Sequence, residues 1–89
     1  MRAIVTVVGR DRIGIIAGIC TLLADKNVNI LDISQTILQD NFTMVMVVDT
    51  TASKVGFDKL ISSLNDIGQR LEINIRIQRE EIFNAMHRI

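Results

Sequence analysis

The sequence predicts an α+β sandwich: a four-stranded antiparallel sheet with two helices on one face and a short helix at the C-terminus. Three observations carry this. Four stretches are rich in valine and isoleucine or alternate apolar with polar residues, which is strand patterning. Two stretches between them repeat apolar residues at helical spacing. The order of these elements along the chain is β-α-β-β-α-β.

Residues 3–8, "AIVTVV", read as the first strand. Gly9 to Gly14, "GRDRIG", is a charged turn bounded by two glycines. Ile15, Ile16, Ile19, Leu22 and Leu23 then recur at helical spacing, and Asp25-Lys26-Asn27 ends that helix. Residues 29–39, "NILDISQTILQ", alternate, with Leu31, Ile33 and Ile37 on one face and Asp32, Ser34 and Thr36 on the other. Asp40-Asn41 is expected to make a tight turn between antiparallel strands. Residues 42–49, "FTMVMVVD", are apolar on both faces and belong in the middle of a sheet. Thr51 or Ser53 is expected to cap the second helix, Phe57, Leu60, Ile61, Leu64 and Ile67 to form its apolar stripe, and Gly68 to follow its end. Residues 71–78 alternate strictly, with Leu71, Ile73, Ile75 and Ile77 pointing one way. The tail carries Ile82, Phe83, Met86 and Ile89 at helical spacing, so a short helix docked through Ile82, Phe83 and Met86 is expected. One domain is expected over residues 1–89, with a core of 1–78 and a C-terminal helix in 79–89. Right-handed crossovers close this order as the ferredoxin-like βαββαβ sandwich.

Such a sandwich leaves one sheet face without helices. Here that face would carry polar residues from the outer strands and apolar ones from the central strands. Partial cover by the tail or by another subunit is expected. A chain of 89 residues that is 48% hydrophobic and 22% charged is globular and rather apolar for its size. Association with a second copy is one remedy for a small core, so a homodimer is expected. Ten acidic residues balance ten basic ones, which speaks against coating nucleic acid. A single cysteine, Cys20, excludes an internal disulfide framework. The first residues lack a cleavable signal pattern, and no apolar run is long enough to span a bilayer. A cytoplasmic protein with no membrane partner is expected.

Several chemistries fail on this framework. An RNA-recognition sheet needs aromatics on its central strands, and the chain has three Phe and neither Tyr nor Trp. A metal carrier of this topology would place two thiols in the first loop, whereas Cys20 falls within the helix and the sole histidine is His87. Gly9 and Gly14 have the glycine spacing of a P-loop, but Ile15-Ile16 stand where Lys and a hydroxyl residue should be. An acylphosphatase loop shares the position but not the residues. Arg10 or Arg12 could pair with an anion. No nucleophile stands near a plausible base, so neither an enzyme nor a cofactor is expected.

The stretch "VVGRDRIGIIAGICTLLADKNVNILDISQT" resembles an ACT domain. Asp11-Arg12-Ile13-Gly14 after a strand and Asn29-Ile30 opening the second strand carry the likeness. The tail "IFNAMHRI" extends it to stand-alone ACT-domain proteins of bacteria and archaea, and it is more distantly similar to the ACT halves of glycine cleavage repressors. The resemblance implies a regulatory module that pairs and binds an amino acid at the subunit interface. The contacts it implies are Gly9, Asp11 and Gly14 of the first loop and Asn29 and Ile30 of the second strand; the rest of the loop, Arg10, Arg12 and Ile13, and Asp32 of the second strand are further candidates, the strand residues approaching from the same or the partner subunit. Two departures stand out: Ile13 replaces a common proline, and Asp11 an asparagine frequent in amino-acid-binding members. Asp11 could accept from a ligand ammonium, or it could only cap the helix. The competing reading is a ligand-free module for protein–protein interaction or dimerisation, acting on an unknown protein target.

Overall fold

The computed structural model describes residues 1–10 and 13–86, with the backbone alone for Leu38 and Met86. The elements are β1 (Arg2–Arg10), α1 (Ile15–Asp25), β2 (Asn29–Leu38), β3 (Asn41–Asp49), α2 (Phe57–Leu71), β4 (Ile73–Arg79) and α3 (Glu80–Met86). The four strands form one antiparallel sheet in the order β2-β3-β1-β4. This is the ferredoxin-like arrangement with an added terminal helix, as the sequence order predicts. β3 is a central strand, in keeping with its apolar character on both faces.

The register divides the side chains cleanly. Ala3, Val5 and Val7 of β1 lie opposite Val48, Met46 and Met44 of β3, and Val5 and Val7 opposite Ile77 and Ile75 of β4. All of these are buried beneath the two helices. α1 adds Ile15, Ile19 and Leu23, spaced four residues apart on one face, and α2 adds Leu60, Leu64 and Ile67. Every residue of this core is apolar, and no buried polar side chain interrupts it among the described residues.

The other face holds alternate rows. From the β2 edge to the β4 edge they read Asp32–Val47–Ile4–Gln78, Ser34–Val45–Thr6–Arg76 and Thr36–Thr43–Val8–Asn74. Polar residues occupy the outer strands and mostly apolar ones the centre. α3 lies against β1 and β4 and leaves Ile4 only 5% exposed.

Several local expectations are corrected. The first hairpin turns at Gln39-Asp40, where Gln39 takes a φ of 58°, and β3 already starts at Asn41. Neither Thr51 nor Ser53 caps α2: its N-cap is Gly56, without a side-chain bond. Both hydroxyls are engaged earlier in the loop, Thr51 donating to Asp49 at 2.6 Å and Ser53 to the Val55 carbonyl at 2.8 Å. α2 also runs past Gly68 to Leu71 and ends at Glu72 in the left-handed region. Gly68 serves contact instead, because a Cβ there would stand 3.0 Å from the Ile73 carbonyl oxygen. In the tail Phe83 is half-buried, but Ile82 is exposed. Ile89 lies outside the described residues.

Candidate functional site

The first loop leaves the sheet at the C-terminal end of β1. Gly9 is inside the strand, opposite both Phe42 and Ile73. A Cβ on Gly9 would meet Ile73 Cγ2 at 2.6 Å and the Ile73 Cα at 3.2 Å, so β1 and β4 approach too closely for any side chain. Packing alone therefore accounts for this glycine. Arg10 ends the strand and is exposed. Asp11 and Arg12, including the capping role considered for Asp11, lie outside the described residues. Ile13 is fully exposed.

Gly14 is the N-cap of α1, with a φ of 91° and no side-chain hydrogen bond to the helix end. Its space is open, since no heavy atom lies within 4 Å of a Cβ built there. Backbone conformation, not crowding, demands glycine. No acidic residue stands in the first turn of α1. The amides of that turn have no acceptor within the helix, so they present donors and a partial positive charge at an exposed glycine.

The second group sits elsewhere. Asn29 pairs with Asp49, which in turn pairs with Arg2, whereas Arg10 pairs with Asn41 and thus shares its end of the sheet with Leu38. Asn29 and the loop are at opposite ends of the sheet. Eight strand steps of roughly 3.4 Å separate them, about 27 Å. Ile30 faces the helices and is half-buried, while Asp32 is exposed on the opposite face. Between them the register shifts by one residue at Leu31, a bulge of the kind that re-aims side chains. One oxygen of Asp32 accepts the Ile33 amide at 2.9 Å.

Beside Asn29, the Asp49 carboxylate is already committed. It accepts the Thr51 hydroxyl and the Thr51 amide at 2.9 Å, and the N-terminal ammonium lies 3.6 Å away. These bonds, the Thr51 hydroxyl first, hold its pKa below the ordinary carboxylate value.

An apolar strip links the two ends. Ile33 and Ile37 lie on the helix side of β2, yet both are exposed, as is Leu31. Ala17, Gly18, Thr21 and Leu22 of α1 turn towards α2. Ile16 therefore stands on the opposite flank, towards β2, and it too is exposed. Sequence patterning read these isoleucines as helix and strand faces; the signal it offered for exposure was the lack of any element left to cover an edge strand. Among the described residues no cluster of three His, Cys, Asp or Glu could hold a metal ion, and no helix is long and apolar enough to cross a membrane.

The chain matches the ACT domain family over residues 2–78. It is 52% identical to a UPF0237 protein of Clostridium acetobutylicum over 89 residues, all of both chains. Among solved structures, an ACT domain protein from Streptococcus pneumoniae superposes with a TM-score of 0.81 at 44% identity, covering 93% of each chain. A putative glycine cleavage system transcriptional repressor shares the fold, with a TM-score of 0.75 at 22% identity over 86% of this chain and 44% of its own. ACT domains are regulatory, ligand-binding modules rather than catalytic ones. Sheet order, helix placement and sequence likeness agree from β1 to β4: this chain belongs to the ACT domain family.

Proposed function

We propose that residues 1–89 form one cytoplasmic, non-catalytic regulatory domain that senses an amino acid at the seam between two copies. The supporting observation is the separation of the two halves of the candidate site. An α-amino acid cannot reach from the loop to Asn29 across about 27 Å within one chain. The same-subunit form of the site is thus geometrically closed. An antiparallel twofold pairing of β2 edges sets Asn29 of one copy beside Leu38 of the other, and so brings Asn29, Ile30 and Asp32 towards the other copy's loop. A carboxylate then suits the amides at Gly14, and Ile30 of the second copy, on the same helix side of its sheet, lines the seam beside them, whereas Asp32 faces the other side. The strip of Ile16, Ile33 and Ile37 becomes covered.

β2 is also the edge built for pairing. It is ten residues long and carries no Lys, Arg or Pro, whereas β4 is seven residues long and carries Arg76 and Arg79. The exposed isoleucines equally support a ligand-free dimerisation module using the same seam. One experiment separates the two: thermal denaturation with each standard amino acid, alongside sedimentation of the wild type and Ile37→Asp. A ligand at a hundred times its Kd should add about 2.7 kcal/mol, and Ile37→Asp should halve the mass and lose the shift. An assembly that Ile37→Asp halves but no amino acid stabilises leaves the interaction module; a mass that Ile37→Asp leaves unchanged refutes the seam.

A further inference from the structure

The open sheet face carries a second apolar surface, distant from the β2 edge. α3 covers only the half of β1 and β4 around Ile4. Beyond it lies a groove of about 660 Å³ floored by Thr6, Val8 and Val45 and walled by Asn74, Arg76 and Phe83. Val8 is 47% exposed there, an unusual state for a valine on a central strand. Among the described residues the Arg76 guanidinium has no ion-pair partner. On the outside of α3, Ile82 is likewise 47% exposed although its helix is docked and tied by an Arg2–Glu80 ion pair of 3.3 Å. Next to it Glu81 is exposed, 3.9 Å from Arg79.

These features complement one another. A helix of seven residues is roughly 10 Å long, and the vacant groove lies beside α3 over the same two strands. A twofold axis lying across the strands near Thr6 reverses the rows. It carries the α3 of a second copy onto the Val8 half while the first copy's α3 occupies the Ile4 half. We infer that the groove is filled by α3 of a second copy, with Ile82 seated on Val8 and Val45 and with Glu81 brought towards Arg76. The contact is isologous, so each copy gives a helix and receives one. The chain is a slab of 35 × 35 × 19 Å. A face of that plan offers on the order of the 800 Å² per partner that a stable interface needs.

This interface is independent of the β2 seam, and the two are separable by mass. With both present the full chain sediments as a tetramer. Ile82→Asp and Val8→Asp, on opposite sides of the same contact and both at exposed positions, should each halve the mass, with circular dichroism unchanged. Ile37→Asp should halve it by the other route. If the seam does not exist, the wild type is a dimer, Ile82→Asp and Val8→Asp give monomers, and Ile37→Asp changes nothing. Mixed Val8→Cys and Ile82→Cys chains, both in a Cys20→Ser background, should form disulfide-linked pairs under mild oxidation. The proposal is overturned if Ile82→Asp retains the wild-type mass, if only one of the two Asp variants lowers it, or if no linked pair forms.

Discussion

Replacing Gly9 by alanine tests whether this glycine serves packing or ligand. The added Cβ would lie 2.6 Å from Ile73 Cγ2, 3.0 Å from its Cβ and 3.2 Å from its Cα. Turning the isoleucine about χ1 moves only the first of these atoms. The other two are fixed to the β4 backbone, so the strands must part. Overpacking of this kind costs about 1–3 kcal/mol. Alanine recovers about 0.4–1 kcal/mol by narrowing the unfolded ensemble, since Gly9 keeps a strand backbone and Gly14 is the glycine with positive φ. The net loss is about 1–2 kcal/mol, and for a domain of this size that lowers Tm by roughly 5–15 °C. Thermal denaturation followed by circular dichroism measures it, without any ligand. Ile73→Ala removes the nearest of the three atoms, so the double variant should lose less than the sum of the single ones. A Gly9→Ala protein melting within about 1 °C of the wild type would refute the close approach and return Gly9 to the ligand-facing residues.

Gly14→Ala forces a side chain into φ 91° with nothing to clash against, so it should cost about 1–2 kcal/mol in chemical denaturation, and Gly14→Asn less. Phe83→Ala should cost about 1–2 kcal/mol, below the 3–5 of a fully buried ring, because the side chain is half-buried; a loss above that range at equilibrium would mean that α3 is buried more deeply. The Asp49 carboxyl, followed by NMR, should titrate below 3.8. Its folded pKa is depressed, so its contribution is present above the unfolded value and is lost as pH falls through the folded one; Thr51→Val should raise that pKa.

The order of elements was legible because each segment's apolar period agrees with its final state. β1 and β3 are apolar on both faces and prove central; α1 buries Ile15, Ile19 and Leu23 of its marked stripe but leaves Ile16 exposed, and α2 buries Leu60, Leu64 and Ile67. Turn and cap positions were less legible. Gly68 follows the pattern of a helix terminator, but the start of β4 lies so close to α2 that a bare backbone is needed inside the helix. Ser53 and Thr51 are good capping residues whose hydroxyls find nearer partners in their own loop. The likeness to ACT domains named the loop and Asn29-Ile30 as candidates, but a sequence does not show that a split βαβ places them at opposite ends of one sheet. That follows only from the register, in which β2 runs parallel to β1 with β3 between them. Ile82 failed as a core residue for a related reason: helical spacing marks an apolar face without saying whose surface covers it.

The two borders of the sheet are unequal, and this limits how far the molecule can grow. A sheet with two receptive borders adds copies indefinitely, as fibrils do. Here β2 is long and nearly uncharged, while β4 is short and bears two arginines. An edge of this kind has a valence of one. When two β2 strands meet, each consumes the other's receptive side, and the enlarged sheet ends in arginine at both margins. Further strand addition then finds no template. By the same asymmetry that leaves isoleucines exposed on a single copy, lateral association through β2 would stop at two.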